Sequence, residues 1–435
     1  LIRGVVQLAK LNFKYGLDEI PPPVELILYS LQWLAISIPT IIIIGKVVAG
    51  LYFGNAADQI VYVQKVFFIT AVAMLAQLLW GHKLPLILGP AAVLLVGIVA
   101  SQGNNPAAVY TSIMLGGVIL SIVSVTGLFG RLQKYFTPRV VATILILIAF
   151  TIAPTIMNLI LSPSLESPPL FNLVFALVLV LIMFLAGRHL TGIWKSTLII
   201  WAIIAGSIIY LLFFPEMAGS GGVPVFSASF FSNINSSLEF HPGIMFSFIV
   251  CFLALSINDL GSIQSVGELI KPDNMHGRIT RGIALTGLAN VLSGFLSVIG
   301  PVNFSLSPGI IMSTGNASRF TLMPTAAGLL ILSFLPGAVA FVEAIPSLII
   351  GTVMIYVMCS QIAAGMLVAF GSTEGFNFDS GLIMGLPLLL GIIISFLPEN
   401  VLGTFSAALR PVIGNGFVTG VLAVLVLEHI IYRKK

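Results

Sequence analysis

One acid is expected to sit deep in an apolar stretch: Asp259, in the run F-L-A-L-S-I-N-D-L-G-S-I-Q-S-V-G-E from Phe252 to Glu268. An ionisable group at such depth costs about 2.5–3.5 kcal/mol on insertion scales, which makes it a functional candidate by default. A buried carboxylate can carry a proton through a cycle, or stay ionised and hold sodium with the Ser256 hydroxyl and backbone carbonyls. It can equally be a packing acid that accepts from backbone N–H groups or from Ser256. Its neighbour Asn258 offers one donor and one acceptor in a flat array but exchanges no proton. For Asn258 the plainer role is a bond between helices, worth about 0.6 kcal/mol. On a helix the two side chains point about 100° apart, so they are expected to serve different surroundings.

Other chemistry is excluded by what the chain lacks. Cys251 and Cys359 both lie in apolar runs and cannot build a disulfide framework or a structural zinc site. The five histidines are scattered near the ends of apolar runs with no ligand spacing, so neither a metal, nor a cofactor, nor an enzyme active site is expected. The net charge of +4 carries no basic stripe with interleaved aromatics, and nucleic acid is not an expected partner.

The elements that position these residues must be membrane helices. Hydrophobic residues make up 58% of the 435, and charged residues only 8% against roughly 25% in soluble domains, too few to cover a water-soluble globule. Apolar runs of about 20 residues are long enough to span a bilayer. Fourteen can be marked, the third (84–101) and tenth (302–316) short and broken by Gly and Pro. With both termini placed in the cytoplasm, every Lys and Arg except Lys46, Lys65 and Arg410 falls on the cytoplasmic side. Residues 1–23 read as a cytoplasmic lead-in helix, and the missing initiating Met suggests a trimmed chain. The two broken runs, L-G-P-A-A-V from Leu88 and L-S-P-G-I-I from Leu306, are each third in their half. Seven plus seven therefore predicts an inverted repeat with a binding site at the paired interruptions.

The stretch S-L-S-P-G-I-I-M-S-T-G-N-A-S-R from Ser305 to Arg319 resembles the signature of the nucleobase-ascorbate transporter family, also called nucleobase:cation symporter-2, [Q/E/P]-N-x-G-x-x-x-x-T-[R/K/G]. Gly309, Thr314 and Gly315 match, whereas Leu306 and Ser307 replace its polar pair. L-Q-W at Leu31–Trp33, G-P-A-A-V at Gly89–Val93, P-R-V-V-A-T at Pro138–Thr143 and I-P-S-L-I-I-G at Ile345–Gly351 extend the similarity over the chain.

The resemblance implies an all-α polytopic membrane protein of fourteen spans, with short strands in spans 3 and 10. The core domain would comprise 24–135 and 243–336, the gate domain 136–215 and 337–432, with an extracellular loop at 216–242. It further implies a homodimeric secondary transporter in the cell inner (plasma) membrane, moving a nucleobase such as uracil, xanthine or uric acid with a proton or sodium ion. Substrate contacts would come from Asn258, which aligns with the family's binding Glu, from Gln32, and from backbone at Gly89, Pro90, Ala91, Ser307, Pro308, Gly309 and Ile310. Asp259 and Ser256 are then the candidates for the coupling ion. An anion transporter of sulfate or bicarbonate type with the same fold, or an uncoupled facilitator, is the alternative.

Overall fold

Proline and a capping side chain mark where many helices begin. The first helical N–H groups have no intrahelical acceptor, so Pro at that position forfeits nothing, and an Asn or Thr just before it accepts from the next amide. The computed structural model describes residues 13–128, 135–161, 167–191, 194, 197–215, 230, 234–304, 307–340, 345–371, 375–402, 404–405 and 409–432. It opens with α1 (Pro23–Tyr52) and α2 (Ala56–Leu79), then a strand β1 (Leu88–Pro90) that leads into a half-length helix α3 (Ala92–Ala100). Next come α4 (Pro106–Val125), α5 (Pro138–Thr151), its continuation α6 (Ala153–Ile160), α7 (Pro169–His189) and α8 (Leu198–Phe213). The order then recurs: α9 (Pro242–Ile270), α10 (Met275–Phe295), strand β2 (Pro301–Asn303), half helix α11 (Ser307–Thr314) and α12 (Leu322–Ser333). The last long helices are α13 (Ser347–Phe370), α14 (Phe378–Ser395) and α15 (Gly416–Val426), with short turns between. Asn105 caps α4 by accepting from Ala107 N at 3.1 Å, and Thr137 caps α5 by accepting from Val140 N at 3.3 Å.

Among the described residues, eight helical stretches, with Pro138–Leu161 counted as one, are long and apolar enough to cross a membrane. The face of α7 that carries Leu170, Leu173, Leu177 and Leu181 is exposed, which suits hydrocarbon and not water. Pro39 inside α1 and Pro387 inside α14 are tolerated as they are in membrane helices.

Packing divides the helices into two groups. In one, α4 lies along α10 and α9, α2 along α12 and α1, and both strands belong to it; in the other, α5 packs on α13, α14 and α15, with α7 against α13. The α4–α10 contact is close and extensive because it is made by glycine. A Cβ on Gly287 would fall 2.6 Å from the Gly117 carbonyl oxygen and 2.2 Å from Ser121 Oγ. At that approach Ser121 and Ser124 reach across to the carbonyls of Ala284 (2.9 Å) and Thr280 (2.8 Å).

The lead-in differs from the expected helix. Residues 13–22 contain no helix, and residues 1–12 lie outside the described residues. The chain instead runs as a strap beside the segment after α11: Lys14 N donates to Gly315 O, Ala317 N to Tyr15 O and Arg319 N to Leu17 O. Arg319 adds an ion pair with Asp18 at 2.7 Å and donates to Leu78 O at the end of α2. Lys14 also pairs with Glu25, whose hydrogen bond raises the Lys14 pKa. The segment departs from helix because the Lys14 amide and the Tyr15 and Leu17 carbonyls find partners in a neighbouring strand-like run, an option that no local pattern reveals. The cations Arg3, Lys10, Arg131, Lys134, Lys195, Arg433, Lys434 and Lys435 lie outside the described residues, as does most of 216–233.

Candidate functional site

The two strands pair antiparallel, Leu88 with Asn303, Gly89 with Val302 and Pro90 with Pro301, and all six residues are buried. Proline has no N–H, so the facing pair Pro90 and Pro301 closes the ladder. Just beyond, Ala91 N donates to Gly300 O, and at the other end Phe304 N donates to Ile87 O, both at 2.9 Å. β1 ends one residue before its half helix α3, and β2 ends three residues before its own, α11.

A cavity of about 300 Å³ opens beside this crossing, near the lower limit of ligand pockets at roughly 300–1,000 Å³. Its first wall comes from the strand-bearing group: Asn258 of α9, Pro90 and Ala91, Val302 and Phe304, and Thr40 of α1. The second wall comes from the other group: Ile148 of α5, and Met354, Met358, Ser360 and Gln361 of α13. Polar side chains are few and apolar surface dominates, as for a flat, partly polar ligand. Phe304 lies across the backbone of Gly89, where an added Cβ would be 2.4 Å from its ring. Only Gly at this position lets the ring reach the strand.

Asp259 faces away from the cavity and is fully buried. Its Oδ2 accepts from Thr286 Oγ1 at 2.8 Å, and its Oδ1 from Asn303 N at 3.1 Å and Asn303 Nδ2 at 2.6 Å. The network continues to His82. Because His82 Nδ1 accepts from Leu84 N at 3.0 Å, its Nε2 bears the hydrogen and donates to Asn303 Oδ1 at 3.1 Å. Ser262 Oγ donates to Asn303 O at 2.9 Å and ties β2 to α9. The carboxylate thus grips the back of β2 while Phe304, the next residue, faces the cavity.

Of the residues singled out from sequence, Asn258, Pro90 and Ala91 meet at the cavity. Ser256 does not join Asp259; its hydroxyl donates to Leu253 O at 2.6 Å, the local bond a serine makes when no cross-helix acceptor is nearer. Gln32 is buried on α1, away from the cavity, and its Nε2 has no partner among the described residues. Trp33 does not face the cavity either, since its Nε1 donates to Thr321 Oγ1 at 3.1 Å. Ser307, Pro308, Gly309 and Ile310 begin α11, and Ser307, Pro308 and Ile310 are not among the described lining of the cavity, because the strand forms earlier, at Pro301–Asn303. Ser307 braces the crossing instead, accepting from Ile87 N at 3.2 Å. Sequence reasoning missed Phe304, Ser360 and Gln361; the last two were detectable as a polar pair inside the apolar run of α13.

Apolar helices of spanning length around a small cavity at two crossing strands define a multi-pass membrane permease. The profile described as "Permease family" matches residues 24–400, and the chain belongs to that family, the nucleobase-ascorbate transporters. It is 24% identical over 411 residues to the xanthine permease of Bacillus subtilis (strain 168), an alignment that covers 90% of each chain. It is also 24% identical over 412 residues to the nucleobase transporter PlUacP of Paenibacillus larvae, covering 90% of this chain and 92% of that one. Among solved structures, the transmembrane domain of the bicarbonate transporter BicA of a cyanobacterium superposes with a TM-score of 0.62 at 16% identity, over 87% of this chain and 98% of that one. At that identity the likeness concerns the fold.

Proposed function

We propose that this protein is a secondary transporter of a planar nucleobase, uracil, xanthine or uric acid, working by alternating access in a fourteen-span inverted repeat of the plasma membrane. The strand-bearing group is the core, residues 24–135 and 243–336, and the other is the gate, residues 136–215 and 337–432. Both termini lie in the cytoplasm. The observation that carries the reading is the cavity between the groups, with Asn258 and the strand crossing on one wall and α13 on the other. Asn258 supplies a flat donor and acceptor, the carbonyls and amides near Ala91 complete the edge, and Phe304 stacks on the ring. Ser360 and Gln361 of the gate meet the opposite edge, so a bound ligand touches both moving parts.

Coupling runs through Asp259. Protonating the carboxylate weakens its hold on three donors, two of them on Asn303, and so loosens β2 beside the cavity. Ser256, occupied by Leu253 O, takes no part. The two gates of a homodimer would associate through exposed apolar helices.

The test is uptake and thermal shift across nucleobases and inorganic anions. A nucleobase is expected to stabilise the protein and to be taken up; stabilisation by sulfate, bicarbonate or halide and by no heterocycle would defeat the reading.

A further inference from the structure

The orientation of one buried amide follows from a backbone hydrogen. Leu84 N–H can only donate, so His82 Nδ1, 3.0 Å away, must accept, and the ring hydrogen sits on Nε2. Nε2 then donates to Asn303 Oδ1 at 3.1 Å, which turns Asn303 Nδ2 towards Asp259 Oδ1 at 2.6 Å. His82, Asn303 and Asp259 are all fully buried, so water offers none of them a substitute partner. Arg278 holds the loop in place, its Nη1 donating to the His82 carbonyl at 2.8 Å and to that of Lys83 at 3.2 Å. Burial pushes the His82 pKa down to about 3, which keeps the ring neutral.

The same bonds restrict where a proton can sit on Asp259. Oδ1 is faced by two donors, Asn303 N at 3.1 Å and Asn303 Nδ2, and a hydrogen placed there would meet theirs. Oδ2 is faced by the Thr286 hydroxyl, which donates to it at 2.8 Å and accepts from Gln77 Nε2 at 3.1 Å. A hydroxyl has two lone pairs, so Thr286 can also accept from a protonated Oδ2 once its own hydrogen turns away. Among the described residues no charged side chain bonds Asp259. On the elements packed against α9 the titratable groups are Tyr110 of α4, His276, Arg278 and Arg281 of α10, Arg139 of α5, and Arg410 of the short helix before α15. The three on α10 lie more than a helical turn before Thr286.

We propose that His82 is a positioning residue of the coupling site: it fixes the Asn303 amide with Nδ2 towards Asp259 and so confines the proton to Oδ2, beside Thr286. The amide is the part with two states. Without the Nε2 hydrogen it can turn over, offer its oxygen in place of Nδ2, and accept from a proton on Asp259 Oδ1. A second place for the proton stabilises the acid, while the carboxylate loses a donor that favours its charge. The meaning for ion coupling rests on the transport reading; the orientation of the amide does not.

The experiment follows the carboxylic acid C=O band that disappears in Asp259→Asn, by infrared spectroscopy of the purified full chain over a series of pH values. His82→Leu removes the donor and is expected to move the midpoint of that band to higher pH by about one to two units, the worth of one hydrogen bond to a charged group. His82→Gln places an amide nitrogen where Nε2 stood, and its midpoint should stay within about half a unit of the parent's. A parent-like midpoint in His82→Leu, or equal shifts in both variants, would overturn the proposal, and so would a parent band that does not change with pH. If His82→Leu does not fold, NMR of the parent with nitrogen-labelled histidine rings decides, the His82 signal being the one lost in His82→Gln. A neutral ring with its hydrogen on Nε2 throughout the carboxyl titration is expected; a second proton on the ring, or the hydrogen on Nδ1, would overturn the assignment. The uptake panel is a separate measurement: a parent that transports no nucleobase defeats the transport reading and leaves the infrared result intact.

Discussion

Asn258 and Asp259 are neighbours in sequence and strangers in space. The first borders the cavity, while the second lies behind β2 with three donors on its two oxygens. Removing each should therefore damage a different step. Asn258→Ala is expected to raise the transport KM about 5- to 30-fold, the range for one or two hydrogen bonds of about 1 kcal/mol each, with protein abundance unchanged. Asp259→Asn should retain nucleobase binding by thermal shift yet lose uphill accumulation; transport against a gradient equal to the parent's would make Asp259 purely structural. Gly89→Val should abolish binding by driving Phe304 from its place. The 100° helical step made the separation of the two polar residues legible in advance. The network around Asp259 was not, because its members come from α10, β2 and the loop bearing His82, which donates to Asn303, elements distant in sequence that only packing unites.

At the scale of elements, the paired interruptions were readable from Gly-Pro and Pro-Gly steps in short apolar runs, and a strand lies in the first and at the start of the second. The register was not. In the second run the signature drew attention to Leu306–Ile311, whereas the strand occupies Pro301–Asn303, since Pro301 can face Pro90 without wasting an amide. Helix contacts built on glycine were equally invisible, as a small residue has no pattern until its neighbour is known. The α4–α10 contact gives a direct check. Gly287→Ala should lower stability by about 1–3 kcal/mol, the usual cost of overpacking, and reduce the thermal midpoint in detergent, because the new methyl meets the Gly117 carbonyl and Ser121. A variant with an unchanged midpoint would show that the helices can separate at little cost.

For the whole molecule, the central cavity is shared between two helix groups, and the alternating access proposed above requires them to move. A cross-link between Thr40→Cys on α1 and Met358→Cys on α13, in a chain with Cys251 and Cys359 replaced, should arrest uptake and recover it on reduction, if both cavity walls belong to parts that shift. Native mass spectrometry in mild detergent should show a homodimer, and monomer at every concentration would count against that assembly. The strand crossing also dictates an order of events during synthesis. Leu88–Pro90 leaves the ribosome more than two hundred residues ahead of its partner Pro301–Asn303, and the strap waits still longer for Gly315 to Arg319. Until then β1 holds open amides and carbonyls at a depth where no water can meet them. The first half is a nascent chain with an unmet appetite for one particular strand, and expressed without the second it should be cleared by quality-control proteases. Supplying residues 234–435 as a separate polypeptide should rescue it, which makes this long-range strand pairing also the checkpoint of the protein's own biogenesis.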